Sequence, residues 1–153
     1  MLNFRTLLDD AEFARQVPRT VQKYKAGEVI LEEDDEGRDV FFILSGKVQV
    51  STHVEQHIGQ VDQFTPGLAT LGENDVFGEL SMIDGEPRSA RVVAVADSEI
   101  AKFDGPKMLA FMDANPDQGY FILRDIFLRL IEHMRKNTIF TKTVLQLYLV
   151  EHK

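Results

Sequence analysis

The sequence contains no cysteine, so it can form no disulfide framework and carries no thiol chemistry. It also lacks any apolar run that approaches the roughly 18–20 residues needed to cross a membrane. Its first residues mix acidic and apolar side chains, a pattern that is not typical of a signal peptide. These absences predict no membrane association and agree with a reducing, cytoplasmic location.

An excess of positive charge is missing as well. The formal net charge is -8 across 153 residues, a length that fits a single domain. Because duplex DNA is bound by clustered lysine and arginine side chains, this excess of acid argues against a nucleic-acid partner. A pocket for an anion must therefore be a local exception to the overall field of the protein.

Patterns for catalysis and metal binding are also absent. Ser81 and Ser89 have no histidine near them in sequence, so no nucleophile is paired with a base and no enzyme is predicted. His53 and His57 are four residues apart, but they lie in a predicted strand and loop, and no third ligand completes a set. The acidic run 32–36 lacks the alternation of a calcium-binding loop and is interpreted as a solvated turn. We therefore predict no metal and no cofactor.

The secondary-structure pattern divides the chain into three parts. Short β-branched and aromatic runs, separated by glycines, predict a β-sandwich or roll within residues 19–104. Within that region, the polar segment Val54–Gly67 is interpreted as a surface loop. Helical spacing predicts an N-terminal helix within 1–18 and C-terminal helices within 105–153. The predicted helices cover residues 3–17, Gly105 to about Ala114, 116–137 and a short last helix at 143–150.

The most informative segment is Phe77–Val93, with the sequence FGELSMIDGEPRSARVV. Its Gly78-Glu79 pair leads into a short helical segment, and backbone N–H groups at a helix start can receive an anion. Arg88 follows and can hold phosphate oxygens with two parallel N–H groups. The carboxylate of Glu79 can accept a hydrogen bond from a sugar hydroxyl. The combination predicts a site for a small phosphorylated sugar.

This segment resembles the phosphate-binding cassette of cyclic nucleotide-binding domains, with the cassette at residues 77–91. Such domains occur in catabolite activator proteins, protein kinase A regulatory subunits and nucleotide-gated channels. The resemblance implies a mainly β fold, namely a jelly-roll-like β-roll of about eight strands with an N-terminal helix and a C-terminal helix pair. It also implies that Arg88 binds the phosphate oxygens and that Glu79 accepts from the ribose 2′-OH. Further phosphate and ribose contacts are implied for Gly78, Leu80, Ser89 and Ala90. Ser89 can instead bond a guanine amino group, so it does not decide between cAMP and cGMP.

Two residues depart from the family pattern. Asp34 and Asn74 stand where the family often has glycine. Aspartate and asparagine are the non-glycine residues that best tolerate the left-handed backbone region. We therefore expect both turns to be kept, at some cost in backbone strain.

The purine must also be held, and the resemblance implies two groups of residues for this. Val50 and Leu68 are expected on strands that line the purine pocket, with ordinary strand core as the alternative. The long C-terminal helix is expected to close over the base, with Arg129, His133 and Met134 as candidates. Core packing is the alternative for Met134, and a solvated helix face is the alternative for His133.

The function implied by the resemblance is non-enzymatic binding of a cyclic purine mononucleotide, with cAMP favoured over cGMP. The domain would act as a sensor that signals to a protein effector through movement of its C-terminal helices. The long helix can also form a homodimer seam through the apolar positions Leu123, Phe127, Leu130 and Met134. One alternative is a degenerate scaffold that keeps the roll but binds a protein without nucleotide. Another is a β-barrel enzyme that turns over cAMP.

Overall fold

The computed structural model of the chain describes residues 4–52 and 69–151. The predicted surface loop Val54–Gly67, together with His53 and Leu68, lies outside these described residues.

The described strands form two antiparallel sheets of four strands each. The first sheet has the order β1-β8-β3-β6, and the second has the order β2-β7-β4-β5. This arrangement with flanking helices is the predicted β-roll, so the fold-class prediction is confirmed. The strands are β1 (Arg19–Tyr24), β2 (Val29–Leu31), β3 (Val40–Ser45), β4 (Lys47–Ser51), β5 (Ala69–Gly72), β6 (Val76–Phe77), β7 (Arg91–Ala94) and β8 (Ser98–Phe103).

Helices flank the roll at both ends of the described chain, and one short helix interrupts the strands. That short helix begins after β6, with Gly78 between them as its N-cap. The helices are α1 (Phe4–Leu7), α2 (Ala11–Gln16), α3 (Glu79–Asp84), α4 (Gly105–Ala114) and α5 (Pro116–Glu151).

The first sheet separates two hydrophobic cores, and strand β3 contributes to both. Val40 and Phe42 pack among apolar side chains of α1, α2, α4 and α5, whereas Phe41 and Ile43 pack inside the roll. Successive side chains of a strand point to opposite faces, so a strand buried on both faces is apolar without alternation. This explains the continuous apolar run of β3 and fixes the helices against the outer face of the first sheet.

The single N-terminal helix predicted over 3–17 is wrong, because the structure has two short helices, α1 and α2. The Asp10 carboxylate accepts a hydrogen bond from the backbone N–H of Phe13 at 2.8 Å and begins a new helix there. Three of the apolar positions in this segment are nevertheless buried, namely Phe4, Leu7 and Phe13. The apolar spacing correctly predicted which side chains are buried, whereas the capping aspartate determines where the second helix begins.

The predicted break between residues 137 and 143 is also wrong, because α5 is continuous for 36 residues. The sequence between these positions contains neither glycine nor proline, so nothing in it forces a helix to end. The hydroxyl groups of Thr138 and Thr143 donate to the carbonyls of Met134 and Ile139, four residues earlier, at 2.9 and 3.0 Å. The lapse in apolar spacing therefore does not mark the end of the helix.

The expectation for Asp34 and Asn74 is confirmed, since their φ angles are 69° and 71°. Asp34 matters for the site because its backbone N–H donates to the Arg88 carbonyl at 2.9 Å. The left-handed turn thus fixes the backbone on one side of the cassette arginine.

Replacing Asp34 by valine should destabilise the fold more than replacing it by glycine, by about 1–2 kcal/mol, because only valine is strained at positive φ. Both variants lose the aspartate side chain, so their difference isolates the backbone conformation. Urea unfolding of the two variants measures this difference. Equal unfolding free energies would contradict the assigned turn.

Candidate functional site

A cavity of about 280 Å³ lies where α3, the cassette segment after it, the second sheet and α5 meet. Its wall has a polar part, mostly from α3 and the cassette, and an apolar part, mostly from the strands, and α5 adds one residue to each. The polar part and its neighbours are Gly78, Glu79, Leu80, Ser81, Arg88, Ser89, Ala90 and His133. The apolar part consists of Leu31, Val50, Ala69, Leu71, Val76, Phe77, Val92 and Leu130.

Arg88 is built into this wall, with a residue exposure of only 4%. Its Nη1 donates to the Gly78 carbonyl and its Nη2 donates to the Asp39 carbonyl, both at 3.0 Å. The guanidinium also lies 5.7 Å from the centre of the Phe41 ring. Since a guanidinium has five N–H donors, these contacts fix its plane and leave donors for a ligand.

The backbone of Arg88 is held as firmly as its side chain. Asp34 donates to the Arg88 carbonyl at 2.9 Å, and the Arg88 N–H donates to the Asp35 carbonyl at 2.8 Å. Burial lowers the pKa of the Arg88 guanidinium, and the charges of Asp39 and Glu79 counteract this. A guanidinium remains cationic at neutral pH. The wall therefore presents one fixed, oriented positive charge to the cavity.

Glu79 is the first residue of α3 and is partly buried at the cavity. Burial raises the pKa of its carboxyl above the ordinary value of a glutamate. A hydrogen bond with its own backbone and the charges of His133, Arg129 and Arg88 act in the opposite direction. Burial in the empty cavity destabilises the charged carboxylate. A hydrogen bond donated by a ligand hydroxyl would therefore stabilise it.

Helix α5 brings one of its three predicted purine contacts to the cavity. His133 lines the cavity together with Leu130, which lies one helical turn before it. The side chain of Arg129 instead bridges Asp75, at 2.9 Å, and Asp125, at 3.3 Å.

Met134 does not line the cavity. Its side chain is exposed and lines a separate surface pocket on α5. Each helical residue turns by about 100°, so neighbours such as His133 and Met134 cannot share a face. The spacing along the sequence placed these candidates on the right helix but did not give the helix rotation.

The other predicted residues fall into two groups. The six phosphate and ribose candidates and Val50 all line the cavity, whereas Leu68 lies outside the described residues. The sequence reasoning missed eight cavity residues, namely Leu31, Ala69, Leu71, Val76, Phe77, Ser81, Val92 and Leu130. Leu130 could have been found because it lies one helical turn before His133. Ser81 could have been found because it is a polar residue between the apolar Leu80 and Met82 in the short helix.

Lower pH should stabilise the empty protein through Glu79. Because the folded-state pKa is raised, the protonated carboxyl contributes stability that is fully present below about pH 4.3 and is lost as pH rises through the folded-state value. Glu79→Gln should therefore melt at a higher temperature than the wild type at pH 7, and this gain should vanish below about pH 4.3. Melting curves between pH 4 and 8 measure it, with Glu86→Gln as the exposed control.

No helix in the described ranges is both long enough and apolar enough to span a membrane. Among residues 4–52 and 69–151, no three histidine, cysteine, aspartate or glutamate side chains cluster as a metal site would require.

Comparison with known proteins finds one family model, which is described as the cyclic nucleotide-binding domain and matches residues 21–115. The cyclic AMP receptor protein of Thermus thermophilus is 36% identical over 77 residues, covering 50% of this chain and 33% of that protein. The cGMP-dependent 3′,5′-cGMP phosphodiesterase A of Dictyostelium discoideum is 32% identical over 105 residues, covering 69% of this chain and 11% of that protein.

A solved cyclic nucleotide-binding domain from Methylobacillus flagellatus superimposes with a TM-score of 0.65 at 27% identity. The match covers 78% of this chain and 64% of that one. The chain thus spans a third or less of the two curated relatives described above. Relatives with this domain include regulators and enzymes in which the domain is one fused part.

Proposed function

The chain belongs to the cyclic nucleotide-binding domain family, and from this premise we propose that it is a regulatory sensor of cAMP. The observation that carries the proposal is the buried Arg88 in the wall of the 280 Å³ cavity, with Glu79 beside it. The guanidinium offers oriented donors to a cyclic phosphate, and the carboxylate offers an acceptor to the ribose 2′-OH. Neither role requires a reaction, so the ligand is bound and released unchanged.

The apolar part of the wall supports cAMP over cGMP. Seven of its residues come from strands. Six of these are valine, leucine or alanine, such as Val50 and Val92, and the seventh is Phe77. Guanine carries an exocyclic amino group and a carbonyl that need partners, and a polar group buried without a partner is costly. Adenine has fewer such groups, so it loses less on entering this part of the cavity.

Movement of α5 is the signal that the geometry supports best. Leu130 and His133 of α5 line the cavity, so a ligand there contacts the helix directly. A ligand shifts a conformational equilibrium only by its difference in affinity between the two states. Contacts that form only when α5 lies against the ligand supply such a difference.

Titration calorimetry with cAMP, cGMP and AMP tests the ligand. We expect cAMP to bind more tightly than cGMP, AMP to bind weakly, and the cAMP to be recovered intact. Equal affinity for the two cyclic nucleotides contradicts the preference. Binding of none of them contradicts the sensor and favours the scaffold that binds a protein partner.

Distance measurements between spin labels test the helix movement. The sequence has no cysteine, so cysteines introduced at the exposed positions Lys23 on β1 and Lys136 on α5 are the only thiols. We expect cAMP to shift the distance distribution, and the same labels in an Arg88→Ala background to show no shift. An unchanged distribution at saturating cAMP contradicts signalling through α5.

We also propose a homodimer through α5. Leu123, Phe127 and Met134 are exposed at spacings of four and seven residues, whereas Leu130 of the same stripe faces the cavity. Sedimentation of the wild type and Phe127→Lys tests this, because Phe127 does not line the cavity. A monomer at all concentrations, or a dimer that survives the substitution, contradicts it.

A further inference from the structure

Two ionic contacts hold the guanidinium of Arg129 between helix α5 and the roll. Its Nη1 donates to Asp75 Oδ1 at 2.9 Å, and its Nε donates to Asp125 Oδ2 at 3.3 Å. Asp125 lies one helical turn earlier on α5, whereas Asp75 lies in the turn between β5 and β6. Among the described side chains of α5, Arg129 is the one whose hydrogen bonds reach the roll.

The apolar packing of α5 ends before the helix reaches the cavity. Ile126 is buried, and no described side chain of α5 after it is fully buried. The two cavity residues of α5, Leu130 and His133, both follow Ile126 and are half-buried. Packing therefore fixes the earlier part of the helix. The polar contact described between the later part and the roll is the pair of Arg129 with Asp75.

Asp75 is a firmly held partner, because its turn binds both its side chain and its backbone. Its Oδ2 accepts from the Gly72 N–H at 2.9 Å, which leaves Oδ1 for Arg129. Its backbone N–H donates to the Gly72 carbonyl at 3.0 Å, and its carbonyl accepts from the Ile43 N–H at 3.0 Å. Asp75 also lies four residues before Glu79 in the chain. The pair thus joins α5 to the segment that leads into the cassette.

We propose that Arg129 and Asp75 are positioning residues, whose ion pair holds the later part of α5 over the cavity before a ligand arrives. This role differs from the purine contact that the resemblance implies for Arg129. Its effect on affinity rests on the proposed function. Apparent affinity falls in proportion to the fraction of protein in the binding-competent state. Breaking the pair lowers the fraction in which Leu130 and His133 line the cavity, so it weakens binding although neither partner lines the cavity itself.

Asp75→Asn breaks the ion pair and preserves the turn, because the amide oxygen can still accept from the Gly72 N–H. We expect it to weaken cAMP binding about threefold, the size of an ion pair at partial exposure. Asp125→Asn is the matched control, because it removes a carboxylate that contacts the same guanidinium from within α5. It should change the affinity by less than about twofold. Titration calorimetry of the three proteins measures both effects.

Spin labels on cysteines at Lys23 and Lys136 test the position of α5 without a ligand. In the empty protein, Asp75→Asn should broaden the distance distribution relative to the wild type. Saturating cAMP should bring both proteins to the same distribution. An unchanged distribution in the empty variant overturns the inference, whether or not the protein binds a nucleotide.

A double-mutant cycle with Arg129→Gln tests whether the two residues act as a pair. The double variant should bind cAMP about as tightly as the weaker of the two single variants, because the second substitution removes no further contact. If the two losses multiply instead, Arg129 and Asp75 act independently and the inference is overturned.

Salt provides a readout that damage to the turn would not change. The side chains of Arg129 and Asp75 are 26% and 40% exposed, so dissolved ions can screen their attraction. The affinity difference between the wild type and Asp75→Asn should therefore shrink at about 1 M salt. A difference that persists unchanged comes from the turn and overturns the ion pair.

The outcomes separate this inference from the proposed function. If the wild type binds cAMP and Asp75→Asn binds it equally tightly, the positioning role is overturned and the sensor stands. If the wild type binds no cyclic nucleotide, the sensor is overturned. The label distances of the empty proteins then support or overturn the positioning role by themselves.

Discussion

Replacing Arg88 by alanine should weaken cAMP binding by about a hundredfold or more. Truncating one partner of a buried, hydrogen-bonded charge pair costs about 2–5 kcal/mol, and each 1.4 kcal/mol is about tenfold in affinity. In this chain the loss should fall toward the larger end, because two carbonyls and the Phe41 ring hold the guanidinium in place before the ligand arrives. Titration calorimetry of the wild type and the variant measures the loss.

The empty Arg88→Ala protein should remain folded but become less stable. The carbonyls of Gly78 and Asp39 lose their donor, and an unpaired buried acceptor costs about 1–3 kcal/mol. Relief from burying a charge offsets part of this cost. Circular dichroism and a melting curve of the variant therefore accompany the titration.

Two further variants make the result specific to Arg88. Arg88→Lys keeps the positive charge but not the planar pair of donors, so it should recover only part of the affinity. Arg91→Ala is the matched control, because Arg91 pairs with Glu32 at 3.4 Å and does not line the cavity. It should leave affinity unchanged within about threefold and stability unchanged within about 1 kcal/mol. Unchanged binding by Arg88→Ala would place the phosphate elsewhere.

The polar part of the site could be predicted from sequence because it is local. Gly78 to Ala90 are close in the chain, and one short helix and its following turn bring them to the same cavity. The apolar part was harder to predict. Leu31, Val76 and Val92 come from three strands, and only the pairing of those strands decides which side chains face inward.

The C-terminal helix shows a feature that the sequence could not predict, namely the rotation of a helix about its own axis. The sequence identified the helix from its apolar spacing, but the rotation of α5 depends on how it packs against α4. At Gly119 an added Cβ would lie 2.7 Å from the Met112 carbonyl, so the two helices approach closely there. That contact, together with the pairing of Arg129 with Asp75, turns His133 toward the cavity and Met134 away from it. Neither contact is visible in the spacing of α5 itself.

Replacing Gly78 by alanine should damage both the fold and the site. The φ angle of Gly78 is 81°, and an added Cβ would lie 2.9 Å from the Asp39 carbonyl and 3.0 Å from Arg88 Nη1. The left-handed backbone alone costs about 1–2 kcal/mol in a non-glycine residue. The Cβ must in addition displace the carbonyl and the guanidinium that hydrogen-bond each other. We expect a total loss of about 3–5 kcal/mol in unfolding free energy, which is typical of overpacking added to backbone strain.

Gly27→Ala is the matched control for this substitution. Gly27 also has a positive φ, 93°, but no atom lies within 4 Å of an added Cβ. Gly27→Ala should lose only about 1–2 kcal/mol of unfolding free energy, from backbone strain, and should keep the wild-type affinity for cAMP. Gly78→Ala should lose at least tenfold in affinity, because the Asp39 carbonyl that orients Arg88 has to move.

Urea unfolding and calorimetric titration of the two glycine variants separate backbone strain from steric displacement. If both variants lose the same stability and both keep the affinity, the segment from Gly78 to Arg88 absorbs a methyl group without moving the guanidinium. The fixed orientation of Arg88 would then not be a requirement of the site. If only Gly78→Ala loses affinity, the close approach of this glycine to Asp39 and Arg88 is what places the positive charge at the cavity.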